Sequence, residues 1–291
     1  MAIFVPALIS GLATGSTYAL IVLGMTLLVL ARKIVHFGFA YIVVLTMYFG
    51  WLVLQATYNN LFIALPAFIV IGVVFTLATE PLFRPLAKKG AFLESLVLGQ
   101  GIAIFLTDVF SHFFNHGYTV AFPANMAGGG FGIRFGLTYF TLGNIYALVL
   151  GIIAVFILLA FLYRSREGRA VRAIAQDQSV ARKFGISFTS TGVIGFAVAG
   201  VLAGIVAIAI AMVLKSVNAG LGDTLAVKAM ILMLFAGMGN LTGGLVCALI
   251  LGVIEALTQA YLPGAWTDAV TYGALMLIIL VRPNGLFGAR A

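Results

Sequence analysis

Long apolar runs alternate with short polar breaks along the whole chain, and the runs have the length of membrane-crossing helices. They lie near residues 7–30, 34–54, 61–80, 95–113, 139–163, 188–213, 224–238, 243–262 and 267–282. A spanning helix needs about 20 mostly apolar residues. The run at 224–238 is short and is read as tilted, kinked or only partly crossing, and the glycine-rich GMGNLTGG (Gly237–Gly244) then breaks the chain. The pattern predicts an all-α, polytopic integral membrane bundle of eight to nine spans, forming a single domain over 1–291. The runs lack the ~10-residue alternation of an outer-membrane barrel.

The polar breaks set an expected sidedness. Alternate loops hold Arg32 and Lys33; Arg84, Lys88 and Lys89; Arg164, Arg166, Arg169, Arg172, Arg182 and Lys183; then Arg282 and Arg290, together 13 of the 16 cations. Arg134 and Lys215 fall on the opposite side, with Lys228 just inside a span. Cytoplasmic loops collect Lys and Arg, so the N-terminus is expected outside and the C-terminus in the cytoplasm, which suits nine crossings. Of the outer loops, the segment at about 111–138, with Tyr118, Pro123 and the Gly128–Gly130 run, is long enough to be either a connector or a lid over the bundle.

Composition agrees with lipid as solvent. Hydrophobic residues make up 63% of the 291 positions, charged residues 8%, and mean hydropathy is +1.18. A soluble domain of this size needs far more polar surface. The net charge of +8 is carried by the loops, which removes the reason to invoke nucleic acid. The start, MAIFVPALIS, lacks the basic region and small-residue cleavage site of a removable signal, so the first run is read as a retained span. Cys247 is the sole cysteine and sits in an apolar run.

One passage breaks the pattern. RAVRAIAQDQSVARKFGIS (Arg169–Ser187) is polar and charge-rich, and lies on the side expected to be cytoplasmic. Val171, Ile174, Ala175, Gln178, Ala181 and Gly185 share one face at helical spacing, with Arg169, Arg172, Ser179, Arg182 and Lys183 elsewhere. Asp177 suits the cap of a second short helix over Gln178–Phe184, and Gly185 its end. A basic interfacial helix held by anionic lipid is one reading. The mixed charge and the small residues Ala175, Ser179 and Ala181 suit a protein groove better. The surface expected to couple to a cytoplasmic partner, within 164–187, therefore comprises Ala175, Asp177, Gln178, Ala181, Arg182, Phe184 and Gly185, and bulk at Ala181 is expected to uncouple it.

This passage resembles the cytoplasmic coupling loop of permease subunits in ABC importers for branched-chain amino acids. SGLATGSTYALIVLGMTLLV (Ser10–Val29) is similar to that family's first span and EPLFRPL (Glu80–Leu86) to its second cytoplasmic loop. LAVKAMILMLFAGMGNLTGGLVCALILGVIEAL followed by LVRPNGLFG (Leu280–Gly288) is similar to its C-terminal third. The likeness covers nearly the whole chain in order, and its length points to the shorter, H-type subunit for leucine, isoleucine and valine. One departure stands out: where the family carries Asn-Phe-Ala-His-Gly-Glu, His36 to Tyr41 read HFGFAY. The polar end has become Phe39, Ala40 and Tyr41, which leaves the identity of the solute open.

Charged and polar residues inside spans are candidates for function. Lys228 and Glu255 lie at similar depths on successive spans and are expected to form a structural ion pair. Ser16, Tyr18, His36, Phe37 and Asp108 are candidates for the substrate pathway, with helix-end capping an equal reading for Asp108. Glu80 and Arg84 are four apart, which suits a helix ion pair, although Pro81 and Pro85 suit a tight turn as well. Gly11, Gly15, Ser16, Gly195, Gly200 and Gly204 offer small faces for close helix packing. His36, His112 and His116 lack the spacing of a metal site, no phosphate-binding G-x-x-x-x-G-K-[ST] occurs, and no catalytic constellation stands out.

The resemblance implies a transmembrane permease of an ATP-driven importer, in a bacterial inner membrane, working by alternating access. It implies a second related permease, two cytoplasmic ATP-binding subunits that carry ATP and magnesium, and a periplasmic or lipid-anchored solute-binding protein. The chain itself is expected to be no enzyme and to bind no cofactor. The rival readings are an ATP-independent secondary transporter or channel and a lipid-modifying enzyme.

Overall fold

The computed structural model describes residues 4–114, 118–127, 132–135, 138–281 and 287. His116, Gly128–Gly130, Arg282 and Arg290 lie outside them. In chain order the helices are α1 (Phe4–Arg32), α2 (Phe39–Ala56), α3 (Leu61–Lys89), α4 (Phe92–Phe113), α5 (Leu142–Arg164), α6 (Arg166–Gln176), α7 (Gln178–Lys183), α8 (Phe188–Leu214), α9 (Leu221–Ala236), α10 (Leu241–Tyr261) and α11 (Trp266–Val281). Each of the nine apolar runs is a helix, and seven of these helices are long and apolar enough to cross a membrane. The other two, α9 and α11, have 16 residues each, roughly 24 Å of helix against a core of about 30 Å.

Helix α9 nevertheless carries the chain from one end of the bundle to the other. Gly11 and Gly15 of α1 lie against Val253 and Leu249 of α10, and Val22 of α1 against Gly244, so α1 and α10 are antiparallel. Gly192 and Gly195 of α8 meet Arg32 and Ala31, at the end of α1, so α8 also runs against α1. Helices α8 and α10 are therefore parallel, and the single helix between them must traverse the bundle.

Alternation of direction gathers Arg32, Arg84, Lys88, Lys89 and the α6–α7 elbow at one end of the molecule, here called the basic end. Helix α11 returns there, since the Asn240 side chain donates to the Phe287 carbonyl (3.0 Å).

Glycines set the closest helix contacts. A Cβ on Gly200 of α8 would come within 2.6 Å of the Val73 Cα, and one on Gly252 of α10 within 2.4 Å of Gly15. At such distances helix backbones touch, the packing that small residues permit in lipid. Buried positions crowd α1, α2 and α8, whereas α3, α4 and α5 turn Phe62, Val70, Val97, Phe105 and Phe156 outward. That exposed apolar coat fits hydrocarbon.

Helix α3 runs unbroken through Pro66, Pro81 and Pro85 to Lys89, so the tight-turn reading of Glu80–Leu86 is corrected to helix. At the end opposite the basic one, β1 (Val120–Ala121) pairs antiparallel with β4 (Ser216–Val217), and β2 (Gly132–Phe135) forms a hairpin with β3 (Thr138–Thr141). Phe122 and Met126 are buried there, and Asn125 donates to the Asn59 carbonyl (3.1 Å). This part of the loop is packed onto the bundle and is more than a connector.

Candidate functional site

The elbow is built by a succession of caps. The Ser165 hydroxyl accepts from the Gly168 amide (2.8 Å) to start α6, and the Asp177 carboxylate accepts from the amides of Ser179 (2.7 Å) and Val180 (3.1 Å) to start α7. The Ser179 hydroxyl donates to the same oxygen, and together these donors hold the Asp177 carboxyl below its usual range. Gly185 takes φ +79°, and the Ile186 amide reaches back to the Ala181 carbonyl (3.1 Å), closing α7 as a left-handed glycine cap does. Val171 and Ile174 of α6 are buried in the bundle, and Gly168 leaves no room for a Cβ above Phe161 and Leu162.

The residues expected to couple divide between two faces. Asp177, Arg182, Phe184 and Gly185 are exposed, with Phe184 at 81%, and Ala175 and Gln178 are half-buried. Ala181 is buried, so its reading as a contact residue is corrected: it anchors α7 to the bundle, and bulk there displaces the helix instead of meeting a partner. The elbow is tied inward through one ring. The Phe188 ring meets both the Arg182 guanidinium (5.3 Å) and the Arg32 guanidinium (4.7 Å).

Arg32 is the interior charge that the loop-based reading overlooked. It is fully buried and pairs with Glu80, which Arg84 also grips through two guanidinium nitrogens (2.5 and 3.1 Å to the same oxygen). Arg32 donates as well to the Thr189 carbonyl (3.3 Å), so one side chain joins α1, α3 and α8. Gly192 makes the room, because a Cβ there would overlap the guanidinium.

In the other half of the bundle Lys228 Nζ lies 2.5 Å from Glu255 Oε1 and 3.3 Å from the Tyr18 hydroxyl, with Asp268 at 4.0 Å. This cluster ties α1, α9, α10 and the start of α11 together.

A third polar feature opens on the surface. Tyr41, Gln100, Thr107, Asp108, Ser111 and Asp223 line a cleft of about 310 Å³ between α2, α4 and the first turn of α9. The Tyr41 hydroxyl donates to the Asp223 carboxylate, and Gly222 lets α9 lie against the Tyr41 ring. Asp108 lies inside α4, five residues before its last residue, Phe113, and lines the cleft, so the capping alternative for it is corrected; the residue that caps α4 is Phe114. The imidazole of His112 lies 3.4 Å from the Asp108 carboxylate.

Of the other residues expected along a pathway, none lines this cleft. Ser16 is buried against Gly151, its hydroxyl donating to the Ala13 carbonyl (2.7 Å); Tyr18 belongs to the lysine cluster. His36 is sealed beneath Phe83 (4.2 Å) and bonds Thr79 (3.0 Å). Phe37 is half-buried, packed toward Tyr41 and Gly99. Sequence reading missed Asp223 and Tyr41. The available signal was an acid in the first turn of a short apolar helix, five residues before Lys228.

A bundle of apolar helices with a capped, projecting elbow at its basic end and a polar cleft on its flank is the build of a membrane permease. Residues 7–280 match the model of a family described as the permease component of branched-chain amino acid transport systems, and the chain belongs to that family. It is 27% identical to the high-affinity branched-chain amino acid transport system permease protein BraD of Pseudomonas aeruginosa, over 98% of this chain and 96% of the relative. The same figures hold for LivH of Escherichia coli K12, and a probable LivH of Methanocaldococcus jannaschii is 24% identical over 92% and 88%. A solved ABC transporter in an inward-facing conformation aligns over 95% of this chain and 85% of its own at 16% identity, with a TM-score of 0.44, a remote likeness.

Proposed function

We propose that this chain is one permease half of an ATP-driven importer for branched-chain or similar hydrophobic amino acids, with the basic end in the cytoplasm. Closure of two ATP-binding subunits pushes on α7, the push passes through the Phe188 ring to α8 and Arg32, and the helix bundles rock between two openings. A second, related permease supplies the other wall of the path, and a solute-binding protein delivers the amino acid at the opposite end.

The observation that carries this reading is the elbow. In a chain of a permease family, its tip shows an 81% exposed Phe184 beside Arg182 and Lys183, at the end where α1, α3, α5 and α11 finish. An isolated large apolar side chain ringed by charge is the form of an anchor that seats in a partner's pocket. The sidedness is supported by the crowding of basic residues at that same end.

The test is leucine uptake into proteoliposomes holding the whole importer. Phe184→Ala is expected to lower ATP-driven uptake roughly tenfold or more while ATP hydrolysis persists. Uptake by the purified chain alone, without ATP or partners, would contradict the proposal.

A further inference from the structure

We infer that the cleft between α2, α4 and α9 is a subsite for the ammonium group of the transported solute, with Asp223 and Asp108 as its charged walls. This rests on the importer reading above and adds to it the part of the solute that the path itself recognises.

The charge pattern comes first. Among the described residues the two buried acids each have a lysine or arginine against them: Glu80 has two, and Glu255 has Lys228. Asp223 has only the Tyr41 hydroxyl, and Asp108 only His112. Both are exposed on helices of an apolar bundle: Asp108 lies five residues, roughly 7.5 Å, before the last residue of α4, and Asp223 sits in the first turn of α9. Carboxylates so placed turn to water or a cation and not to lipid tails, and these two share one cleft.

The hydroxyls give a second, independent sign. A hydroxyl has one proton to donate and two lone pairs to offer. Thr107 spends its proton on the Ala103 carbonyl (3.0 Å), Ser111 on the Thr107 carbonyl (3.0 Å), and Tyr41 on Asp223. What these three side chains leave for a ligand is acceptor capacity alone. Gln100 adds one amide, which both donates and accepts, so with the two carboxylates the wall is dominated by acceptors and negative charge, which favours a donor-only cation such as a primary ammonium over a carboxylate. The cleft, about 310 Å³, is at the small end of ligand sites and has Ile104 as an apolar rim, which suits one ammonium head with an aliphatic neighbour.

The experiment places a reporter thiol in the cleft. Gln100→Cys is built in a Cys247→Ala background, Cys247 being the sole cysteine, and the assembled importer is labelled with two methanethiosulfonates of similar size, one carrying trimethylammonium and one sulfonate. With each rate divided by that of the same reagent on a small free thiol, the cationic reagent is expected to be favoured about tenfold or more, and Asp108→Asn with Asp223→Asn should bring this normalised ratio near one. Leucine should slow labelling, and 4-methylpentanoate, which keeps the side chain and carboxylate but lacks the ammonium, should not. A ratio near one in the parent, or equal protection by both compounds, overturns the inference. So does a thiol that is reactive in the free chain and blocked to both reagents in the assembled importer, because the second permease then fills the cleft. Leucine uptake by the wild-type importer is measured beside these assays: its failure removes the importer reading, whereas normal uptake with unbiased labelling removes only the ammonium subsite.

Discussion

Two buried ion clusters hold this bundle, and they are built differently. Lys228 and Glu255 form a closed pair, one cation to one acid, with Tyr18 and the more distant Asp268 at its margin. At the basic end Glu80 stands between two guanidinium groups, the buried one of Arg32 and that of Arg84, which is 37% exposed. The first joins helices that already touch through Gly15 and Gly252, and it acts as a clasp. The second touches the elbow through the Phe188 ring and has a solvated arm that can swing. A cluster with an uncompensated positive charge and one wet member is suited to a place where helices shift; a neutral, enclosed pair is suited to a place where they do not.

The sharpest way to break the comparison is Glu80→Ala. It strands the Arg32 guanidinium among Glu80's former neighbours, and arginine cannot shed its proton to escape. Removing one partner of a buried pair costs about 3–5 kcal/mol, and the upper end is expected here, read as a loss of unfolding free energy in detergent. Lys228→Met is expected to cost less, about 3 kcal/mol, because a stranded carboxylate can take up a proton. The double exchange Lys228→Glu with Glu255→Lys should recover most of the loss caused by either single change. Two single variants as stable as the parent would show that the clasp is not needed.

Much of the fold was legible because lipid simplifies the code. Apolar length alone located all nine principal helices, and the caps Asp177 and Gly185 were readable because capping is local chemistry. The ion pair of Lys228 and Glu255 was readable because both charges are rare within their spans and only 27 residues apart. What escaped depends on distant partners. Arg32 looks like a loop cation until α3 and α8 close over it, and nothing local says that Ala181 faces inward. The stretch HFGFAY reads as a loss of polar character, yet Tyr41 meets Asp223, 182 residues away, and an acid from α9 restores it. Ser16 and Tyr18 look like path residues by chemistry, yet both are buried, Tyr18 against Lys228.

The smallest expected effect is the most informative about the open cluster. Arg84 meets Glu80 with good geometry, but its side chain is 37% exposed, and ion pairs with a solvated member contribute little to stability. Arg84→Ala should therefore leave unfolding almost unchanged, since Arg32 still neutralises Glu80 from the buried side. If Arg84 is the arm that moves when α7 is pushed, the same variant should alter the ratio of leucine carried to ATP hydrolysed more than it alters stability. A stability loss as large as that of Glu80→Ala would instead make the basic-end cluster a second clasp, and the distinction between the two halves of the molecule would disappear.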